Sequence, residues 1–593
     1  MRKRGFSFLL ISVMLLVGVQ SFAETAHKFT GIASDEADGR FRVTVGTKGM
    51  VAADDLQAAE WGAEILRRGG NAADAAAAVG FAMSVTRPHY ASLGGGGFAI
   101  VCASKQSGGN CEAIDFREKA PEKASRDMYV KDGKADSKLS QEGPLAIGVP
   151  GLTAGLLAIS EKFGKLKNRK LILSKPIELA TRGIRFSSHS ESAGAHRFDV
   201  FNTEGKKIFG CSNAICPVGT VIKQPDLARV LKAISDGGAK GFYSGTVGKK
   251  IADGIQKAGG ILSLKDLDAY EPKWRTPVRG QFHGAEIISM PPPSAGGTVM
   301  LELFQFIEIA EKMGQISETK LNTADTYHVL AHAMSLGFAD RAFYFGDPDF
   351  VNVPVTKLLE RERLEKRWKE SFQVSKANIL EKSPKDLGEN LAFSDNDSNG
   401  RSQTTHFSVV DENGNAVSLT TTVNDEYGSG FVPPGTGIVM NNEMDDFSAL
   451  AGSPNLFGLV GAEANAIAPF KRPLSSMTPT IVRENGEVRF AIGAQGGPRI
   501  TTSVFQSLLN RLYFGLSLQD SVSNCRIHQQ WKPRTLMFES ACFSGDSKVK
   551  LEALGYEMKA VDTAGKVHGI ERFSNGRTWG FSDPRTEGGA VAQ

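Results

Sequence analysis

The 593-residue chain has almost no excess of one charge: 69 Lys and Arg against 65 Asp and Glu give +4. Without such an excess there is no electrostatic footprint for nucleic acid or for a membrane surface. Cys-x-x-Cys does not occur, which excludes a zinc ribbon and a thioredoxin-type redox site. Beyond residue 23 no stretch reaches about 18 consecutive apolar residues, so no span is predicted and a soluble mature protein is expected. Gly-x-Ser-x-Gly is missing, which argues against an ordinary serine hydrolase. The glycine run Gly94–Gly97 has no Gly-Lys-Ser/Thr after it. It is therefore no phosphate loop, and a tight backbone turn near a site is the better use for it. Internal repeats are absent.

What is present fits a globular protein. Hydrophobic residues make up 41% and charged residues 23%. The chain is long enough to bury a large core without help from disulfides or metals. Its 65 glycines exceed the usual share of about 7% and predict many tight turns. Residues 1–23 read as a secretory signal peptide. Arg2, Lys3 and Arg4 form a basic start, Phe6 to Val19 an apolar run, and Ser21 and Ala23 the small residues before a cut. Loss of that leader would lower the net charge to +1, and its form points to the periplasm. All six cysteines lie beyond it. An even count in an exported protein favours disulfides. Spacing does not decide among the possible pairings; local pairs Cys102/Cys111, Cys211/Cys216 and Cys525/Cys542 are the simplest.

The first half reads as helix-rich. Asp54 is a candidate cap for a helix through Arg68, and Asn71 for an Ala-rich helix to about Val85. Further helical patterns fall near 151–163, 225–235, 298–313, 323–344 and 355–370. Phe98–Cys102 and Glu112–Phe116 read as a strand pair. Residues 375–403 turn polar and are predicted to be an exposed, mobile linker. The strongest strand signal follows at once: Thr404–Val410 alternates, Asp411–Asn415 turns, and Ala416–Val423 returns. More strands are predicted at 437–440, 479–483 and 488–492, then helices from about 500 to 523.

Two metal-like patterns fail on inspection. Asp395-x-Asp397-x-Asn399-Gly400 begins like a calcium loop, but its twelfth position is His406 where a bidentate Glu is needed. His328 and His332 have ligand spacing, but Val329 replaces the adjacent general base of a zinc protease.

One stretch does not fail. Gln403-Thr404-Thr405-His406-Phe407-Ser408-Val409-Val410-Asp411 resembles the γ-glutamyltranspeptidase family of N-terminal nucleophile hydrolases. Similar blocks run through the whole mature chain, among them Gly49–Ala59, Leu93–Phe98, Ile114–Pro121, Gly337–Arg341, Asn441–Ser448, Arg472–Thr480, Gly493–Ile500 and Ser582–Arg585. The chemistry is intelligible from the residues. A threonine hydroxyl is a weak nucleophile unless a base takes its proton, and a chain-terminal threonine carries its own base, an α-amine with a pKa near ~8. The resemblance implies self-cleavage at Gln403–Thr404 into a large subunit, 24–403, and a small catalytic subunit, 404–593, which pair as a heterodimer. It implies an α+β fold, a four-layer αββα sandwich built from both subunits.

Site roles follow from the same resemblance. Thr404 would be the nucleophile and Thr422 its hydrogen-bond support. Gly496 and Gly497 would supply oxyanion-hole N–H groups. Arg117 would pair with the α-carboxylate of a γ-glutamyl donor, with Ser475 and Ser476 adding hydrogen bonds. Asn424, Glu443 and Asp446 would surround the α-ammonium. Phe457 occupies the place of an active-site lid residue that is Tyr in some bacterial members. The implied activity is γ-glutamyl transfer and glutathione hydrolysis, with amino acids or dipeptides as acceptors and with no metal or organic cofactor. The alternatives are a glutaryl-type (cephalosporin) acylase on the same fold and a non-enzymatic periplasmic binding protein.

Overall fold

The computed structural model describes residues 43–377 and 404–593. The leader and nearly all of the predicted linker, with the calcium-like half-loop, lie outside the described residues. Two seven-stranded sheets dominate. The first runs, in spatial order, Val43–Gly46, Thr578–Ser582, Lys566–Arg572, Glu487–Gln495, Thr480–Glu484, Ala285–Ser289 and Val278–Phe282. The second runs Lys273–Arg275, Cys111–Phe116, Gly96–Cys102, Ala416–Thr422, Thr404–Val410, Met50–Ala53 and Gly589–Ala592. Every pairing within them is antiparallel.

Strand periodicity sorts side chains between layers. Phe407 and Val409 point to a core shared with helices Leu56–Arg67, Ala72–Thr86 and Leu152–Phe163. Ser418, opposite Ser408 in the hairpin, ties the two sheets together: its Oγ donates to Ile492 O (2.9 Å) and accepts from Thr480 N (2.9 Å). The outer face of the first sheet packs on helices Gly296–Lys312 and Arg499–Leu512. The result is the expected helix–sheet–sheet–helix order. All seven residues of Thr404–Val410 are buried, because both faces of that strand are covered.

Local signals explain most elements. Asn71 caps Ala72–Thr86 with a full capping box, Asp74 reaching back to the Asn71 N–H. The 404–422 hairpin keeps its turn because Asp411 Oδ1 accepts from Asn413 N and Asn415 N, both at 3.0 Å. Asp411 Oδ2 also accepts from Ala72 N (3.1 Å) and so docks the turn on a helix start. Two expectations change. The first helix is capped by Asp55, whose carboxylate accepts from Ala58 N, not by Asp54. Residues 437–440 form no strand. Pro433 and Pro434 lack donors, and Gly435 and Gly437 take φ of 69° and 67°, which breaks an extended ladder. The cysteines form the three local pairs Cys102–Cys111, Cys211–Cys216 and Cys525–Cys542. Among the described residues no helix is long and apolar enough to cross a membrane.

Candidate active site

Thr404 begins the central strand of the second sheet and pairs in register with Thr422 at the end of the next. Its Oγ lies 3.3 Å from Thr422 Oγ, which in turn accepts from Asn424 N (2.9 Å). Asn424 holds φ of 74°, a left-handed conformation that Asn tolerates and that costs backbone energy. The glycine run lies directly behind. A Cβ on Gly95 would meet Thr422 O at 2.1 Å, and one on Gly94 would meet Val439 O at 2.2 Å. The run is thus a site of close backbone approach beside the threonines.

Nine of the ten predicted site residues line one narrow pocket: Arg117, Thr404, Thr422, Asn424, Glu443, Asp446, Ser475, Ser476 and Gly497. The tenth, Gly496, is next in the chain to Gly497, in the turn between the strand ending at Gln495 and the helix starting at Arg499. Both glycines have positive φ, 138° and 59°. Arg499 Nε donates to Gly496 O (3.3 Å) and its Nη1 to Thr563 O (3.1 Å), which braces the turn. A Cβ on Gly497 would meet the Phe457 ring at 2.8 Å. Phe457 therefore sits directly over this turn.

The charges are concentrated. Arg117 is 1% exposed and its guanidinium bridges Glu443 and Asp446, with Glu118 3.6 Å away. Its remaining donors go to Pro473 O (3.3 Å) and Leu474 O (3.2 Å). Three carboxylates thus share one buried guanidinium. Burial pushes Glu443 far above the usual carboxylate range, and pushes Glu118 up to about 7, in each case against the pull of Arg117. The charge cluster is also tied to the loop that carries Phe457: Asn455 Nδ2 donates to Asp446 Oδ1 (2.9 Å), and Leu456 N to Asp445 Oδ2 (2.9 Å).

Three contributors escaped the sequence reading. Arg341 lines the pocket, donates to Ser476 Oγ (3.1 Å), and has no carboxylate partner among the described residues. Burial pulls it down to about 10. It lies inside a block that resembles the family, yet one arginine on a helix carries no visible signal of facing a pocket. Glu118 follows Arg117 directly, but nothing in the sequence marks it as buried. The Gln495 side-chain amide lies against Thr404 O and Asp54 Oδ2, and with its nitrogen assigned to face these two acceptors it donates to both (2.5 and 3.3 Å), a contact only the packing of the two sheets creates. The histidines have other work. His406 is buried neutral, its ring nitrogens bonded to Thr420 Oγ and Ser408 Oγ at 2.9 Å. His328 bonds Tyr556 and Gln373, and His332 bonds Ser371.

A threonine that opens a central strand, between two facing sheets and against a glycine turn, defines an N-terminal nucleophile hydrolase. A crystal structure of cephalosporin acylase from Bacillus halodurans has a TM-score of 0.78 at 25% identity, covering 97% of this chain and 99% of its own. A chain of the Helicobacter pylori γ-glutamyltranspeptidase crystal structure is 39% identical with a TM-score of 0.50, covering 53% of this chain and 88% of its own. The Escherichia coli (strain K12) protein named glutathione hydrolase proenzyme is 39% identical over 548 residues, 91% of this chain and 90% of its own length. The family description gamma-glutamyltranspeptidase matches residues 58–593. The chain belongs to the γ-glutamyltranspeptidase family, and it is an enzyme.

Proposed function

We propose that the chain is a γ-glutamyltransferase and glutathione hydrolase, made as a proenzyme, exported to the periplasm and cut between Gln403 and Thr404. The large subunit would be 24–403 and the small one 404–593. The observation that carries the reading is the Thr404–Thr422 hydroxyl pair at 3.3 Å in the pocket that also holds the Arg117 cluster. In the precursor, Thr404 Oγ attacks the Gln403 carbonyl carbon, the peptide bond gives way to an ester, and water hydrolyses that ester. The freed Thr404 amine then serves as general base. His406 is unsuited to that role, since both its ring nitrogens are occupied.

In turnover Thr404 Oγ attacks the donor's γ-carbonyl and the amine leaves with a proton. Gly496 and Gly497 N–H groups stabilise the oxyanion. The donor's zwitterion enters a ready set of opposite charges. Its α-carboxylate can take Arg117, Arg341, Ser475 and Ser476, while its α-ammonium takes Asn424, Glu443 and Asp446. Each buried charge then keeps a partner. The pocket is narrow, and Phe457 lines it together with the Arg117 cluster. A glutamyl group entering there would pass Phe457, whose loop Asn455 links to Asp446.

The likeness to an acylase favours a second reading, hydrolysis of glutaryl-type amides, which lack the α-amine. Three groups placed for an ammonium weigh against it. The deciding experiment is intact mass with N-terminal sequencing, then kinetics on donors with and without the α-amine. A small subunit beginning Thr404-Thr-His-Phe-Ser and a preference for the amine-bearing donor are expected. An uncut chain, or equal rates on both donors, would overturn the reading.

A further inference from the structure

Beside the narrow pocket lies a cleft of about 460 Å³, and the two share Phe457 and Pro498 as a common wall. Lys566, His189 and Glu426 line the cleft. Lys566 begins its strand and pairs in register with Gln495, the residue before Gly496. Its neighbour Gly565 lies 3.2 Å from where a Gly496 Cβ would stand. The lysine is thereby fixed to the turn that carries the oxyanion glycines. It is 7% exposed, and its Nζ lies 3.2 Å from His189 Nε2. Among the described residues no carboxylate forms an ion pair with it; Asp54, Asp583, Glu587 and Glu426 act only from longer range. A nearly buried ammonium without a direct anionic partner, at the edge of a cleft, suits a ligand carboxylate.

We propose that this cleft is the subsite for the amine half of the reaction, and that Lys566 anchors there the carboxylate of an amino acid or peptide. The proposal rests on Thr404 being the nucleophile. Aminolysis of the acyl-enzyme is acylation run backwards. The acceptor nitrogen bonds to the γ-carbonyl carbon, the ester bond to Thr404 Oγ breaks, and the proton lost by the amine passes through the Thr404 amine to Thr404 Oγ. By microscopic reversibility the acceptor must sit where the leaving amine departs. A peptide in either role ends in a carboxylate, and the cleft places a cation beyond the shared wall. Burial pulls the Lys566 ammonium below the usual lysine range, against the Asp54 carboxylate first, so an anionic ligand relieves a standing cost.

The test uses acceptors that differ only in that carboxylate, glycylglycine and glycylglycinamide, with γ-glutamyl-p-nitroanilide as donor. The processed enzyme should show a lower KM for glycylglycine, and equal KM values overturn the proposal without any variant. Lys566→Met should raise the glycylglycine KM at least about tenfold, the size of one lost charge-assisted hydrogen bond. The glycylglycinamide KM should move less than about twofold, and Lys566→Arg should recover part of the preference. Equal changes for both acceptors overturn the proposal. Release of p-nitroaniline by the parent enzyme without acceptor reports on Thr404 separately. If that release is absent, the nucleophile reading fails; if it is present while the acceptor preference survives Lys566→Met, only the subsite fails.

Discussion

Arg117 and Arg341 divide the positive charge of the pocket unequally. Arg117 is saturated by Glu443, Asp446 and two backbone carbonyls, whereas among the described residues Arg341 bonds Ser476 alone. Arg341→Met should therefore raise the KM of a γ-glutamyl donor about tenfold, the loss of one charge-assisted contact; an unchanged KM would place Arg341 outside the binding set. Glu118 gives a prediction with a sign. Its carboxyl is pushed up to about 7 in the fold, from 4.5 when unperturbed. The folded chain holds that proton more tightly than the unfolded one, so stability is greatest below about 4.5 and falls as pH rises through about 7. Glu118→Gln removes this fall. Urea unfolding should find the variant stabilised by about 3 kcal/mol at pH 8 relative to its difference from the parent at pH 4.5. The same difference at both pH values would rule the effect out.

The decisive element is the turn that joins Glu487–Gln495 to Arg499–Leu512. Two glycines at positive φ allow it, and Phe457 closes on the second. Gly497→Ala meets two obstacles, a left-handed backbone and a ring 2.8 Å from the new Cβ. A fall in kcat of about a hundredfold is expected, the scale of losing one oxyanion donor. Adding Phe457→Ala removes the clash but not the backbone strain, so recovery should be partial; full recovery would leave the clash as the whole effect. The hairpin holding Thr404 was legible in the sequence because its turn chemistry and period agree. Residues 437–440 misled, since an apolar run after a glycine turn reads as a strand until the backbone angles are known.

At the scale of the molecule, the proposed cut falls between partners that cannot part easily. Strands Thr404–Val410 and Ala416–Thr422 lie between Gly96–Cys102 on one side and Met50–Ala53 on the other. The first sheet likewise alternates segments from both sides of residue 403. The two fragments should therefore co-elute without denaturant and unfold in one cooperative transition. Separation of the fragments in plain buffer would contradict this interleaving. The Cys525–Cys542 bridge closes a 17-residue interval within the small-subunit half. Replacing both cysteines by serine should cost about 3 kcal/mol through loop entropy, measured by the same unfolding assay.

Taken alone, the sequence determined the Asn71 helix cap and the hairpin and, through the resemblance, the candidate nucleophile and nearly every wall of the pocket. Those rest on local chemistry or on motifs that a linear string preserves. It could not decide which cysteines pair, that Arg117 is already spent on two carboxylates, that Arg341 faces the same pocket, or that Lys566 lies against the Gly496–Gly497 turn. Arg117 and Asp446 are 329 residues apart in the chain, and Lys566 and His189 are 377 apart. Such distances close only when the two sheets stack, and the burial that stacking imposes is what gives these charges their chemistry.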